Sequence, residues 1–207
     1  MRNGRQMATL TNGSTSMSFK YDDSGIRTQK TVNGTTTQFY LNGSDILTQI
    51  TGSERFDFFY DDAGDLLGFK YGGNNYYYIR NLQNDIIGIL DSAGTQVVSY
   101  VYDSWGKLAS ISGSAKDTIG VKNPFRYRGY YYDTESGLYY LNSRYYDAEI
   151  GRFVNSDATT GIVGEHQTHN VYAYCFNNPV NLADSTGYIA LVDDILILSA
   201  LGLVALF

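Results

Sequence analysis

Few side chains in this sequence have the type and spacing that catalysis or metal binding requires. His166 and His169 form a His-x-x-His pair, but Glu165 is the single further ligand type nearby, and zinc sites usually use three or four protein ligands. Serine is plentiful, yet the Gly-x-Ser-x-Gly motif of α/β hydrolases does not occur. Cys175 is the single cysteine, so we expect a small buried side chain and no internal disulfide. These residues predict neither a metal nor a cofactor.

The charged residues are sparse and scattered. The 207 residues include 15 Lys and Arg against 21 Asp and Glu, which gives a net charge of −6. Nucleic acids are bound through clustered positive charge, so no nucleic-acid partner is expected. Arg126 and Arg128 flank Tyr127, and in a strand this alternation would place the tyrosine on one face and the arginines on the other.

A repeated turn motif organises the elements that would position these residues. An aromatic residue and an aspartate are followed by two residues and a glycine. Such an aspartate accepts hydrogen bonds from the backbone two residues further on, and glycine adopts the positive φ that reverses the chain. Each copy therefore predicts a turn between two strands. Strong copies begin at Tyr21, Tyr60 and Tyr102, and weaker copies begin at Leu90, Tyr132 and Tyr146.

The segments between the turns are rich in aromatic and β-branched residues, which favour strands. The chain contains 20 Tyr and 22 Gly but two Pro. We therefore predict an all-β fold in which successive hairpins, with a dozen or more short strands, form one curved, spiralling sheet. One edge of this sheet would be open to pairing with preceding repeats.

The stretch 123–153, NPFRYRGYYYDTESGLYYLNSRYYDAEIGRF, has an unusually regular Tyr, Gly and Asp spacing. Further motifs follow it: Asn155-Ser156-Asp157, Tyr172-Ala173-Tyr174-Cys175 and Asn177-Asn178-Pro179-Val180-Asn181. Together these motifs resemble the core segment that closes proteins built of Rhs (YD) repeats. The resemblance divides the chain into YD-repeat hairpins at 1–122, a repeat-associated core at 123–188 and a variable tail at 189–207.

In that family the repeats wind into a hollow shell around a C-terminal toxin, and the core spirals inward to plug one end. The resemblance implies a shell-and-plug role, with upstream YD repeats, an enclosed toxin and a cognate immunity protein as partners. It also implies a secreted or cell-surface protein, including cell-wall-associated types. Residues 1–5 lack the apolar stretch of a signal peptide, and we expect the chain to be the C-terminal piece of a longer protein.

The resemblance also implies a site. Bacterial members end their core in Pro-x4-Asp-Pro-x-Gly-Leu and cut themselves after its last residue with aspartates. Pro179, Asp184 and Gly187 match this motif in register, whereas Ser185 replaces its second proline and Tyr188 its leucine. These replacements put cleavage of the Tyr188–Ile189 bond in question.

Two further residues match the family's cleavage machinery. The second aspartate corresponds to Asp157, and an arginine corresponds to Arg144. The resemblance thus implies that Asp157 and Asp184 act as acid and base on water, because two close carboxylates share one proton, while Arg144 holds charge or the scissile carbonyl. The alternative is structural: both aspartates form turns, and Arg144 stacks between tyrosines.

The tail differs in composition from the rest of the chain. Residues 195–207 are almost wholly apolar, and Asp193 and Asp194 could cap a helix there. The segment is shorter than the ~20 residues that span a bilayer, so no membrane span is expected. It could be the stub of a truncated toxin, a plug inside the shell, or a membrane-active peptide.

Three functions are compatible with the sequence. The favoured one is a structural shell-and-plug segment that encloses and presents a C-terminal toxin. The second is a self-cleaving aspartic protease that cuts after Tyr188. The third is a carbohydrate- or surface-binding module, which would need a line of exposed aromatic faces, whereas the repeat predicts buried tyrosine ladders.

Overall fold

The structure is a computed structural model that describes residues 6–156, 170–184 and 186–187, and the backbone of residues 191–192. The prediction of an all-β fold is confirmed. Three short helical turns, Lys116–Gly120, Tyr127–Gly129 and Cys175–Asn177, interrupt the strands. The strands are β1 Thr9–Asn12, β2 Thr15–Tyr21, β3 Arg27–Val32, β4 Thr35–Asn42, β5 Asp45–Thr51, β6 Glu54–Tyr60, β7 Leu66–Tyr71, β8 Asn74–Arg80, β9 Ile86–Leu90, β10 Gln96–Tyr102, β11 Leu108–Ser112, β12 Tyr131–Asp133, β13 Leu138–Leu141, β14 Arg144–Asp147, β15 Arg152–Phe153, β16 Leu182–Ala183 and β17 Leu191–Val192.

The strands are arranged in three antiparallel sheets. Strands β1 to β11 form one 11-stranded sheet, hereafter the repeat sheet, in which each strand pairs with its neighbours in sequence. Strands β12 to β15 form a separate four-stranded sheet, hereafter the core sheet, and β16 pairs with β17. Among the described strands β1 pairs with β2 alone, so it is an edge strand of the repeat sheet, as predicted. The predicted boundary between residues 122 and 123 stays a prediction.

The YD turns have the predicted geometry. In one of them, Oδ1 of Asp61 accepts hydrogen bonds from the backbone N–H groups of Ala63 and Asp65, both at 2.9 Å, and Gly64 has φ +89°. The sequence motif missed one copy, in which Asn81 replaces the aspartate and Asn84, with φ +68°, replaces the glycine. Asparagine can take both roles because it accepts hydrogen bonds and tolerates the left-handed conformation.

The main hydrophobic core lies between the repeat sheet and the core sheet. Alternate residues of the repeat strands point to this core, as expected for strands with one buried face. Phe69 and Ile89 of the repeat sheet are fully buried there, together with Tyr140 and Tyr145 of the core sheet. Rings of the two sheets are in contact, for example Phe39 and Tyr131, whose centroids lie 5.4 Å apart.

The opposite face of the core sheet is also buried. Tyr139 and Tyr146 pack there with Phe153 and Tyr174 in a second hydrophobic cluster. Trp105, in the last YD turn, packs against this cluster. The core sheet is therefore enclosed on both faces, and the prediction of buried tyrosine ladders is confirmed for this sheet.

Three expectations need correction. Arg126 and Arg128 do not lie on a strand: Tyr127–Gly129 is a 3-10 turn, and Arg128 has φ +54°. Both arginines are buried because their guanidinium groups bind backbone carbonyl groups. Asp133 does not use its carboxylate in the turn that follows it; its oxygens bind Arg27 and Lys30 of the repeat sheet instead. Arg144 stacks on the ring of Phe153 and not between tyrosines.

Candidate functional site

Asp184 lies directly after β16 and is almost completely buried, with 1% of its surface exposed. Its Oδ2 accepts a hydrogen bond from Nη2 of Arg144 at 2.9 Å. Its backbone N–H donates to the hydroxyl of Tyr130 at 3.2 Å, and that hydroxyl shares a 3.0 Å hydrogen bond with the hydroxyl of Tyr174. Backbone and side chain are thus both held by residues of the core.

Arg144 begins β14 and is itself buried. The family motifs identified both Arg144 and Asp184 as candidate site residues, and the structure places them in a direct ion pair. Nε of Arg144 also donates to the carbonyl oxygen of Gly187. The guanidinium lies over the ring of Phe153, 3.6 Å from the centroid, so the aromatic contact that was expected from tyrosines is made by a phenylalanine.

The segment around Gly187 is held against the turn between β13 and β14. The backbone N–H and the hydroxyl of Ser143 both donate to the carbonyl oxygen of Thr186, at 3.3 and 3.0 Å. Gly187 has φ +73°, and a Cβ added there would lie 2.4 Å from the carbonyl oxygen of Leu141. Glycine is therefore required at this position, because any side chain would push the segment away from Arg144.

The environment of Asp184 makes its carboxyl group easier to protonate than that of an exposed aspartate. Burial raises the pKa of its carboxyl group, and although Arg144 lowers it, the net shift is upward. Oδ1 of Asp184 has no hydrogen-bond partner in the described part of the chain. A buried carboxyl group that retains its proton above the usual pH range can donate that proton to a leaving group.

The other predicted site residues lie outside the described residues. These are Asp157, Ser185, Tyr188 and the bond from Tyr188 to Ile189, as well as the histidine pair 166 and 169 and the tail apart from the backbone of residues 191–192. Elsewhere in the chain, the described residues contain no group of three or more His, Cys, Asp or Glu that could hold a metal. None of the described helices is long and apolar enough to cross a membrane.

Sequence reasoning missed two residues that position the site. Tyr130 binds the Asp184 backbone, and Arg128 donates to the carbonyl oxygens of Gln83 at 3.0 Å and Pro179 at 2.5 Å. Arg128 thereby joins the turn between β8 and β9 to the turn that precedes β16. A usable signal was the Arg128-Gly129 pair, because glycine after a polar residue favours a turn over a strand.

Tyr130→Phe is expected to lower the free energy of unfolding by about 1–3 kcal/mol, because it leaves the buried N–H of Asp184 and the Tyr174 hydroxyl without this partner. Burial raises the pKa of Tyr130, so the hydroxyl stays neutral and available at all ordinary pH values. Urea unfolding measures the effect. Tyr172→Phe is the control, since Tyr172 is 43% exposed and should change stability by less than about 0.5 kcal/mol. Equal losses in the two variants would contradict the role of Tyr130.

This arrangement of repeat hairpins and enclosed core can be compared with known proteins. The sequence profile described as Teneurin YD-shell matches residues 3–180. The chain belongs to the YD-shell family. The resemblance to Rhs-type proteins is thereby confirmed.

Two similar proteins are WapA nucleases. The chain is 38% identical over 176 residues to the "tRNA3(Ser)-specific nuclease WapA" of Bacillus spizizenii and 40% identical over 176 residues to the "tRNA nuclease WapA" of Bacillus subtilis. Each alignment covers 82% of this chain but 7% of the relative. The chain thus corresponds to a small segment of these proteins.

Solved structures share the fold. The crystal structure of TcdB2-TccC3-Cdc42 superposes with a TM-score of 0.68 at 21% identity, over 87% of this chain and 9% of that chain. At this identity the likeness concerns the fold alone. It agrees with the repeat sheet and core described above.

A few aromatic side chains remain exposed. Tyr40 and Tyr77 are 55% and 41% exposed on the repeat sheet, and the rings of Phe59 and Tyr77 lie 5.6 Å apart. These are the residues on which carbohydrate binding would depend. That function stays a prediction.

Proposed function

We propose that this chain is the closing segment of an Rhs-type YD shell, which encloses and presents a variable C-terminal toxin. The observation that carries the proposal is the position of the core sheet. It is buried on both faces, and one of them covers the inward-pointing side chains of the repeat sheet. A segment so placed fills the space that the repeats face, which is the position of a plug.

In this proposal the chain acts within a longer, secreted or cell-surface protein. The open edge at β1 supports it, since unpaired backbone groups there can pair with a preceding repeat. The similarity to WapA supports a toxin as the enclosed partner, and a toxin of this kind would require an immunity protein in the producing cell. Residues 189–207 would belong to the variable toxin region that follows the core.

A chimera tests the enclosure. The matching segment of Bacillus subtilis WapA is replaced by the corresponding residues of this chain, and limited proteolysis follows the region beyond the graft. We expect that region to be digested no faster in the chimera than in unmodified WapA. The control chimera lacks residues 123–187 and should lose the protection. Equally fast digestion of both chimeras would refute a plugging role.

A second candidate function is self-cleavage after Tyr188, and the double contact of Arg144 favours it. The same guanidinium binds the carboxyl group of Asp184 and the carbonyl oxygen of Gly187, one residue before the bond. In this mechanism Asp157 removes a proton from water, and the water oxygen attacks the carbonyl carbon of Tyr188. The bond from that carbon to the nitrogen of Ile189 breaks, and Asp184 donates a proton to the leaving amine.

Intact mass spectrometry of the purified chain decides between cleavage and a purely structural site. If the chain cleaves, the wild type is expected to lack residues 189–207, whereas Asp184→Asn retains them. Asp103→Asn is the matched control, because Asp103 makes an ordinary YD turn and should leave cleavage unchanged. Two intact chains would show that Asp184 and Arg144 serve structure alone.

A further inference from the structure

Strand β3 differs from its counterparts at its two inward-pointing positions. Arg27 occupies the first position, opposite Tyr21, the aromatic residue that ends β2. Lys30 occupies the second, opposite Phe19. In three other hairpins both positions are apolar. They are Leu66 and Phe69 in the hairpin that turns after Tyr60, Ile86 and Ile89 in the one after Arg80, and Leu108 and Ile111 in the one after Tyr102. Two cations therefore replace two apolar residues in one repeat.

Both cations are buried, and burial deprives them of hydration. Arg27 is 1% and Lys30 4% exposed, and Nε of Arg27 has no hydrogen-bond partner in the described part of the chain. The guanidinium of Arg27 is surrounded by aromatic rings, with centroids between 4.3 Å (Tyr140) and 5.8 Å (Tyr145) away. These rings offset part of the lost hydration through cation–π contacts.

The partner of both cations is a carboxylate of the core sheet. Asp133, at the end of β12, is fully buried, and its oxygens lie 2.5 and 3.2 Å from the Arg27 nitrogens. Its Oδ1 also lies 3.0 Å from Nζ of Lys30, which in turn binds Glu135 at 2.7 Å. Other aspartates at the same place in the YD motif, such as Asp103, bind their own turns instead.

We propose that Arg27 and Lys30 form a docking site that recognises the carboxylate of Asp133 at the end of core strand β12 and so selects where the core sheet is seated on the repeat sheet. A buried ion pair adds little stability over apolar residues of similar volume, but a buried charge without its partner is strongly destabilising. Seating the core over any other hairpin would place Asp133 against residues such as Leu66 and Phe69. The apolar contacts alone, which recur from repeat to repeat, do not distinguish these seatings.

The test replaces the three charges together by apolar residues, in the variant Arg27→Leu/Lys30→Phe/Asp133→Leu of the full chain. The first two changes restore the residue types of the other repeats. We expect the variant to fold, with β6 to β9 unchanged. Amide NMR signals of β12 to β14 should split or broaden, and their hydrogen exchange should become at least tenfold faster, because several seatings are now populated.

A second ion pair between the same two sheets provides the control. Lys107 and Glu149 lie 2.7 Å apart, but their side chains are 50% and 63% exposed. Lys107→Leu/Glu149→Leu should therefore leave one set of signals and unchanged exchange rates. A triple variant with one set of β12 to β14 signals and wild-type protection would overturn the proposal. A triple variant that does not fold would overturn it too, since the charges would then supply stability rather than selection.

Discussion

Asp133→Asn is expected to lower the free energy of unfolding by about 3–5 kcal/mol at neutral pH, because it leaves two buried cations with no anionic partner in the core strand. Neither Arg27 nor Lys30 can reach water without separating the two sheets, since both are almost completely buried. Urea unfolding at pH 7 measures the loss. Glu135→Gln is the control: Glu135 binds the same Lys30, but its side chain is 37% exposed, so the loss should stay below about 1 kcal/mol. Similar losses in the two variants would contradict the importance of burial.

The pH dependence of this effect has a defined sign. Burial by itself raises the pKa of Asp133, but Arg27 and Lys30 together lower it by more, so the pKa lies below its ordinary value. The stabilisation is therefore fully present above the unfolded-state value of ~3.9 and is lost as the pH falls through the lower folded-state value. The stability difference between wild type and Asp133→Asn should shrink in that acidic range.

Asp184 should show the opposite dependence. Its pKa is raised, chiefly by burial, so its contribution to stability is present below the unfolded-state value of ~3.9 and is lost as the pH rises through the raised folded-state value. One fold thus contains two buried carboxyl groups with opposite behaviour. The difference arises because the contacts of Asp133 with Arg27 and Lys30 outweigh its burial, whereas the burial of Asp184 outweighs its contact with Arg144.

Local chemistry explains which parts of the fold could be predicted from the sequence. A YD turn such as Asp61 to Gly64 is made by residues within five positions of one another, so its motif predicts both the turn and the hairpin. The motif did not predict the turn at Asn81, because asparagine replaces both the aspartate and the glycine that define it. Asp133 was predicted to make such a turn, but its partner Arg27 lies 106 positions away. A local sequence pattern cannot predict a contact between residues so far apart in the chain.

The candidate site could be predicted only in part, because its residues are also far apart in the sequence. The pairing of Arg144 with Asp184, 40 positions apart, came from family motifs and not from spacing. Tyr130 and Arg128 lie outside the family motifs that identified Arg144 and Asp184, and their role depends on a turn that brings a distant loop to them. Residues that act through backbone contacts across the fold leave little trace in composition or periodicity.

Gly106→Ala is expected to destabilise the chain by about 2–4 kcal/mol, while the same change at Gly64 costs about 1 kcal/mol. Both glycines end YD turns with nearly equal φ, +87° and +89°, so both variants share the strain of a left-handed alanine. They differ in their surroundings. A Cβ at Gly106 would lie 2.3 Å from the ring of buried Tyr127, whereas nothing lies within 4 Å at Gly64, and overpacking adds about 1–3 kcal/mol.

Urea unfolding of the two variants measures how closely Tyr127 and the core sheet pack against the hairpin of β10 and β11. Tyr127 can yield little, because its hydroxyl binds the carbonyl oxygen of Ser104 at 3.1 Å and its ring packs in the second cluster with Tyr139. The added methyl group must therefore displace either the turn or the core sheet. Equal losses at the two positions would mean that the ring moves aside freely, and that the seating of the core depends on the Arg27 and Lys30 docking site rather than on this end of the repeat sheet.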